Sequence, residues 1–179
     1  MLLACGGPPP IPPPGKSTVR TISGPTQFDS RSAALFVFSS QYDGTPVTTM
    51  YVQVNETDPA CSGGSTAPIL RWFNIGATRF PPHTFGPGEY RSEPTDGLAP
   101  AEALGGYYQE SRQTCGLILH VTDARLTLSR FDESAAVGTL EARLDDGTEL
   151  AGEFMAPSCP LVQTSVTSAN EALPICGQQ

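Results

Sequence analysis

The chain has 179 residues, a net charge of −8 and only 16% charged residues. That length suits one domain with a sizeable core. The nine arginines and one lysine do not cluster, so the basic stripe that phosphate binding needs is missing, which argues against a nucleic-acid partner. Glycine and proline, 18 residues each, predict frequent turns and no long helix, and no run of 18 apolar residues exists to form a transmembrane helix.

At the start of the chain, Leu2-Leu3-Ala4-Cys5 places two apolar residues and a small one before a cysteine. It resembles the lipobox of bacterial prolipoproteins. The resemblance implies that Cys5 is the acylated residue, and that Gly6 after it permits transfer to the outer membrane. A diacylglycerol plus a further acyl chain exceeds the two-signal threshold for stable anchoring, at about 0.8 kcal/mol per buried CH₂. A secretory signal also needs a basic region and an apolar stretch of about 7–15 residues. Only Met1–Ala4 precede Cys5, so the expectation is a start assigned too late or a trimmed sequence.

Gly6–Gly15 carries six prolines, which favours an extended polyproline II rod of ~3.1 Å per residue, roughly 30 Å in all. A spacer behind an anchor is a simpler account than a PxxP ligand. Gly15-Lys16-Ser17 is not a phosphate loop, because position 10 is proline where the motif needs glycine. Residues 1–17 are therefore read as lipobox remnant and linker, and 18–179 as one all-β domain.

Val19–Ile22 reads as a short strand. Ala33–Phe38 is a continuous apolar run of strand length, expected to be covered on both faces. The turn signal Tyr42-Asp43-Gly44-Thr45 joins it to Thr48–Val54, where Met50, Val52 and Val54 alternate with Tyr51 and Gln53. Asn55–Pro68 is a polar loop holding Cys61. Ile69–Ile75 is a strong strand with the single tryptophan, Trp72, read as a core residue. Thr78–Phe85 and Glu89–Arg91 flank a Pro/Gly corner, Pro94–Pro100 is a further loop, and Ala101–Leu104 is read as one helical turn. Gly106–Ser111 and Leu117–Val121 follow as strands, the latter with Leu117, Leu119 and Val121 inward and Ile118 and His120 outward.

Ala124–Cys159 reads as a three-stranded meander. Leu126 and Leu128, then Leu140, Ala142 and Leu144, then Leu150, Phe154 and Ala156 recur with period two, which marks one buried and one wet face. Asp145-Asp146-Gly147 supplies the hairpin turn. With nine or ten strands at such spacings, an antiparallel β-sandwich with a C-terminal meander is expected, a partly open barrel being the alternative. Cys159 closes the meander, and a polar segment with Cys176 follows.

Five cysteines without a CxxC pair, beside two histidines, do not suit zinc. They suit disulfides in an oxidising compartment. Setting Cys5 aside leaves Cys61, Cys115, Cys159 and Cys176, which allow three pairings. Cys159–Cys176 with Cys61–Cys115 is favoured, and Cys61–Cys159 with Cys115–Cys176 competes.

No motif of nucleophilic or metal catalysis is present. His83 lies in a predicted loop and His120 on an outward strand position. Asp132-Glu133 and Asp145-Asp146 read as solvated turns, and a calcium loop of D-x-D-x-D-G spacing is lacking. No cofactor is expected. Trp72, Tyr107 and Tyr108 are the candidate aromatic face for a sugar or peptide, with one of the adjacent tyrosines facing out.

The order of anchor cysteine, proline linker, hydrophobic hairpin, cysteine loop, a corner ending in Gly88-Glu89-Tyr90, and the meander is similar to small lipoproteins of high-GC Gram-negative bacteria. The resemblance implies a β domain held by its lipid at the outer membrane or cell surface, and transfers no catalytic residue. The expectation is a non-enzymatic binding or adhesion module with a protein or glycan partner. The alternatives are a hydrolase with an unrecognised site and a purely structural envelope protein.

Overall fold

In the computed structural model, residues 15–57, 69–92, 102–112 and 116–159 are described. Cys5, Cys61, Cys115, Cys176, the proline linker up to residue 14 and the 94–100 loop lie outside them. The described chain forms ten strands and no helix. They are β1 (Lys16–Ser17), β2 (Arg20–Ser23), β3 (Ser32–Tyr42), β4 (Thr45–Asn55), β5 (Ile69–Arg79), β6 (Gly88–Arg91), β7 (Glu102–Arg112), β8 (Gly116–Phe131), β9 (Ala135–Leu144) and β10 (Glu149–Pro157). One sheet runs β1-β10-β9-β8-β7-β5-β4-β3, with β2 beside β10 and β6 beside β8. All pairings of named strands are antiparallel. The sheet is strongly curled into a half-barrel, so the expected antiparallel all-β architecture takes its barrel form.

The curl is centred on β8. Its first part, up to His120, pairs with β7, and its second part pairs with β9 and β6. The register shifts between Val121 and Asp123 and again between Leu128 and Arg130. An extra residue on one strand bends it and increases its twist. Residues 117–121 and 124–130, read from the sequence as two strands, are therefore one bent strand shared by both halves. At the other end of the sheet, Ser158 bridges Leu35 in parallel and the Cys159 N–H donates to the Leu35 carbonyl at 2.9 Å. That contact brings β10 back against β3.

Side chains on the concave side make one core. Leu35, Met50, Val52, Phe73, Ile75 and Tyr108 from one half meet Leu126, Leu140, Leu144, Leu150 and Phe154 from the other. The period-two assignments along β4, β8, β9 and β10 hold there. The loop between β2 and β3 contributes Phe28, whose ring meets Tyr108 edge-on at 5.7 Å.

Three expectations change. Ala101–Leu104 is not a helical turn: β7 begins at Glu102, and Leu104 is buried opposite Ala77. Ladder pairing over a buried face outweighs weak local helix preference. Pairing begins at Lys16 opposite Met155, inside the segment read as linker. Gly15 permits this, since a Cβ there would stand 2.0 Å from the Met155 carbonyl oxygen. Ala33–Phe38 is covered on both faces only as far as Leu35; Val37 is 38% exposed, because β10 reaches only the start of β3.

The turns follow their residues. Asp43 and Gly44 both take positive φ, 47° and 76°, as a two-residue hairpin requires. Tyr90 locks the Pro/Gly corner, its hydroxyl donating to the Gly86 carbonyl at 2.7 Å and accepting from the Gly86 N–H at 3.1 Å. Arg79 lies over the rings of Phe85 and Tyr90.

Candidate functional site

The convex side of the sheet divides by chemistry. On β8, β9 and β10 it carries charge at Arg125, Glu141, Arg143, Glu149 and Glu153, beside a neutral stretch of Thr127, Ser129, Thr139 and Met155. Arg125 faces Glu89 and Glu141, and Arg143 donates to Glu149 at 2.5 Å. Exposed pairs of this kind contribute little to stability. A groove of about 410 Å³ runs among these residues, floored by satisfied ion pairs.

On β4, β5, β7 and the start of β8 the convex side is neutral. The register sets Asn55, Trp72, Gln109 and Ile118 in one row across the strands. The next row is Gln53, Asn74, Tyr107 and His120. Tyr51 and Gly76 form a third. None of these positions holds a carboxylate, lysine or arginine, although the chain has 28 such residues, 18 acidic and 10 basic. Trp72, Tyr107, Tyr51, Gln53 and Gln109 are half-buried, His120 is exposed and Ile118 is 52% exposed.

Local geometry shapes the face. A Cβ at Gly76 would stand 2.4 Å from Cε1 of Tyr51, so the tyrosine ring occupies the space left by the missing side chain. Phe38 on β3 stacks on that ring, with centroids 5.6 Å apart and planes 17° from parallel. Gly105, paired with Gly76, has no atom of the described residues within 4 Å of where a Cβ would stand. The result is a shallow floor of glycine flanked by rings. The Gln53 amide donates to Asn55 Oδ1 at 2.8 Å, while the buried Asn55 Nδ2 has no hydrogen-bond partner among the described residues.

The structure separates the three predicted aromatics. Trp72 and Tyr107 share the neutral convex face. Tyr108 is fully buried. Its hydroxyl donates to Glu110 at 3.2 Å, and Arg71 donates to the same Glu110 at 2.9 Å and to Glu56 at 3.4 Å. Burial, then the Glu110 charge, push the Tyr108 phenol upward, so it remains a hydrogen-bond donor. The reading of Trp72 as a core residue is corrected: Phe73, its neighbour, takes the inward position, since adjacent strand residues face opposite ways. Tyr51, Phe38 and the amides were missed by the sequence reading. The alternation of Tyr51 and Gln53 against Met50, Val52 and Val54 was the signal for two of them.

His83 and His120 are both exposed. His83 sits at the Pro corner and His120 at the end of the neutral face. Among the described residues neither imidazole makes a hydrogen bond. Asp132 and Asp146 serve their turns. Asp132 accepts from the Ser134 and Ala135 N–H groups. Asp146 accepts from the Thr26 hydroxyl at 2.6 Å and from the Thr148 N–H at 2.8 Å. Among the described residues no group of three or more His, Cys, Asp or Glu side chains is placed to hold a metal.

Cys159 is buried at the end of the meander. Ile69 pairs with Arg112, and Ser111 with Gly116. The segments that contain Cys61 and Cys115 therefore depart from neighbouring strand ends.

Compared with known proteins, the chain matches no family model, no curated protein and no solved structure. The class it defines is an antiparallel β half-barrel with a charged and a neutral aromatic convex half.

Proposed function

We propose that this protein is a lipid-anchored binding module of the bacterial envelope, acylated at Cys5 and held off the membrane by its proline spacer. The neutral convex face of β4, β5, β7 and β8 is its binding surface, and no catalytic role is assigned. The observation that carries the binding reading is the segregation of charge. A purely solubilising surface has no reason to collect half-buried rings and amides on one half and ions on the other. The anchor rests on Leu2-Leu3-Ala4-Cys5 and on the Gly6–Gly15 spacer, which leads directly into β1. The disulfides Cys159–Cys176 and Cys61–Cys115 complete the reading and fit an oxidising compartment.

The reading is tested in a Gram-negative host given a fatty-acid analogue. The full-length gene product should be labelled and should partition with the membrane fraction. Cys5→Ala should abolish labelling and leave the folded domain unattached. Equal labelling of both proteins would end the lipoprotein assignment.

A further inference from the structure

The binding reading leaves the ligand open, and the chemistry of the face narrows it. We propose that the neutral convex face binds an uncharged glycan chain laid across the strands, with Trp72 and Tyr107 as stacking residues and the glycine floor beside Tyr51 seating a sugar ring. This inference rests on the binding-module reading of the same face and adds the ligand class.

Three observations support it. The first is charge. No lysine or arginine stands in these rows to neutralise a carboxylate, sulfate or phosphate, and the chain itself is −8; a polyanion would be repelled. The second is the alternation of rings and amides. In a strand pair, neighbouring side chains on one face lie about 5 Å apart. Trp72 and Tyr107 therefore stand among the half-buried amides of Gln53 and Gln109, with Asn74 buried between them. A sugar presents C–H faces that pack on aromatic rings and hydroxyls that both donate to and accept from carboxamides. A folded protein partner would more often be met by arginine at the centre of the contact, and no arginine stands in these rows. The third is the floor. Gly76 lets the Tyr51 ring drop against the backbone, and Gly105 beside it has no atom of the described residues over it, so the described surface is flat there.

Trp72 is the only tryptophan in the chain, so its emission reports on this face alone. The full chain is titrated with soluble neutral polysaccharides (a β-glucan, a mannan and a xyloglucan) and with alginate as the anionic control. At least one neutral glycan should shift Trp72 emission, and alginate should not. Tyr107→Ala should weaken that response roughly tenfold, as loss of one stacking contact does, with thermal stability retained. Arg125→Ala, on the charged half, should leave it unchanged. Retarded migration in gels containing the same glycan gives a second readout that survives Trp72→Ala only as a weakened retardation. Silence toward every neutral glycan, a preference for alginate, or equal responses from wild type and Tyr107→Ala overturns the glycan assignment. If neutral glycans fail but a purified envelope protein shifts Trp72 emission with the same Tyr107 dependence, the binding-module reading stands and the glycan inference falls.

Discussion

Asp146 shows how one turn carboxylate ties two distant segments. Burial opposes its ionisation, but the Thr26 hydroxyl and the Thr148 N–H and hydroxyl outweigh it, and its pKa lies below the ordinary value. The sign follows from that direction. A carboxylate with a depressed folded pKa stabilises the fold above its unfolded value, about 3.9, and that contribution is lost as pH falls toward the folded value. Asp146→Ala should therefore lower stability by about 2 kcal/mol at pH 7, since bonds to a charged group contribute that much. The difference between wild type and variant should shrink as pH drops from about 4 toward 2. Thermal melts across that range check it, and a constant difference down to pH 2 would contradict the assignment. Asp132, partly exposed, is held down by Ser134 and Arg130 and belongs to the β8–β9 turn alone. The sequence marked both as turn residues, because the adjacent acidic pairs Asp132-Glu133 and Asp145-Asp146 are a local signal. It held no trace of Thr26, which is 120 residues from Asp146.

At the scale of elements, β3 is the edge strand of the sheet among the described residues. Its odd-numbered residues aim their backbone groups away from β4. Ala33 N–H reaches the Gly15 carbonyl and the Leu35 carbonyl takes Cys159 N–H. Further along, the N–H groups of Val37, Ser39 and Gln41 have no backbone partner among the described residues. Phe36–Tyr42 contains no charge, no proline and no bulge, the devices that usually blunt an edge. Ser39→Lys should leave the melting temperature nearly unchanged and raise the protein concentration at which heated samples aggregate. Unaltered aggregation would show that association starts elsewhere. β3 was recognisable from its apolar run, yet its edge position was not, since strand order is a property of pairing and not of composition. The same limit explains β8. Leu117–Val121 and Ala124–Arg130 alternate correctly on either side of Thr122, and the break in phase reads as a loop unless the partners on both sides are known.

For the whole molecule, the half-barrel gathers several segment ends near one rim. β4 ends at Asn55, β5 starts at Ile69, β7 ends at Arg112 and β8 starts at Gly116, and Cys159 passes Leu35 close by. The proposed pairing is Cys61 with Cys115 and Cys159 with Cys176, and Cys61–Cys159 with Cys115–Cys176 competes with it. Peptide mapping without reduction should recover those two linked pairs, and reduction should lower the melting temperature. A closed 17-residue loop contributes about 3 kcal/mol on the chain-entropy model. Recovery of Cys61–Cys159 would establish the competing connectivity.

The period-two pattern was sufficient for the all-β class, the inward faces of β4, β8, β9 and β10, and the hairpin turns, because each depends on residues close in sequence and on burial of one face. Even the outward position of Tyr107 or Tyr108 was reducible to a choice of two. Which one faced out, and that Trp72 and not Phe73 would join it, required the register of β5 against β7. The curl of the sheet required the bulge at Thr122, and the neutral face required four strands side by side. A face is a set of residues that adjoin only across strands, so its chemistry is invisible along the chain and exists once pairing has set them in rows.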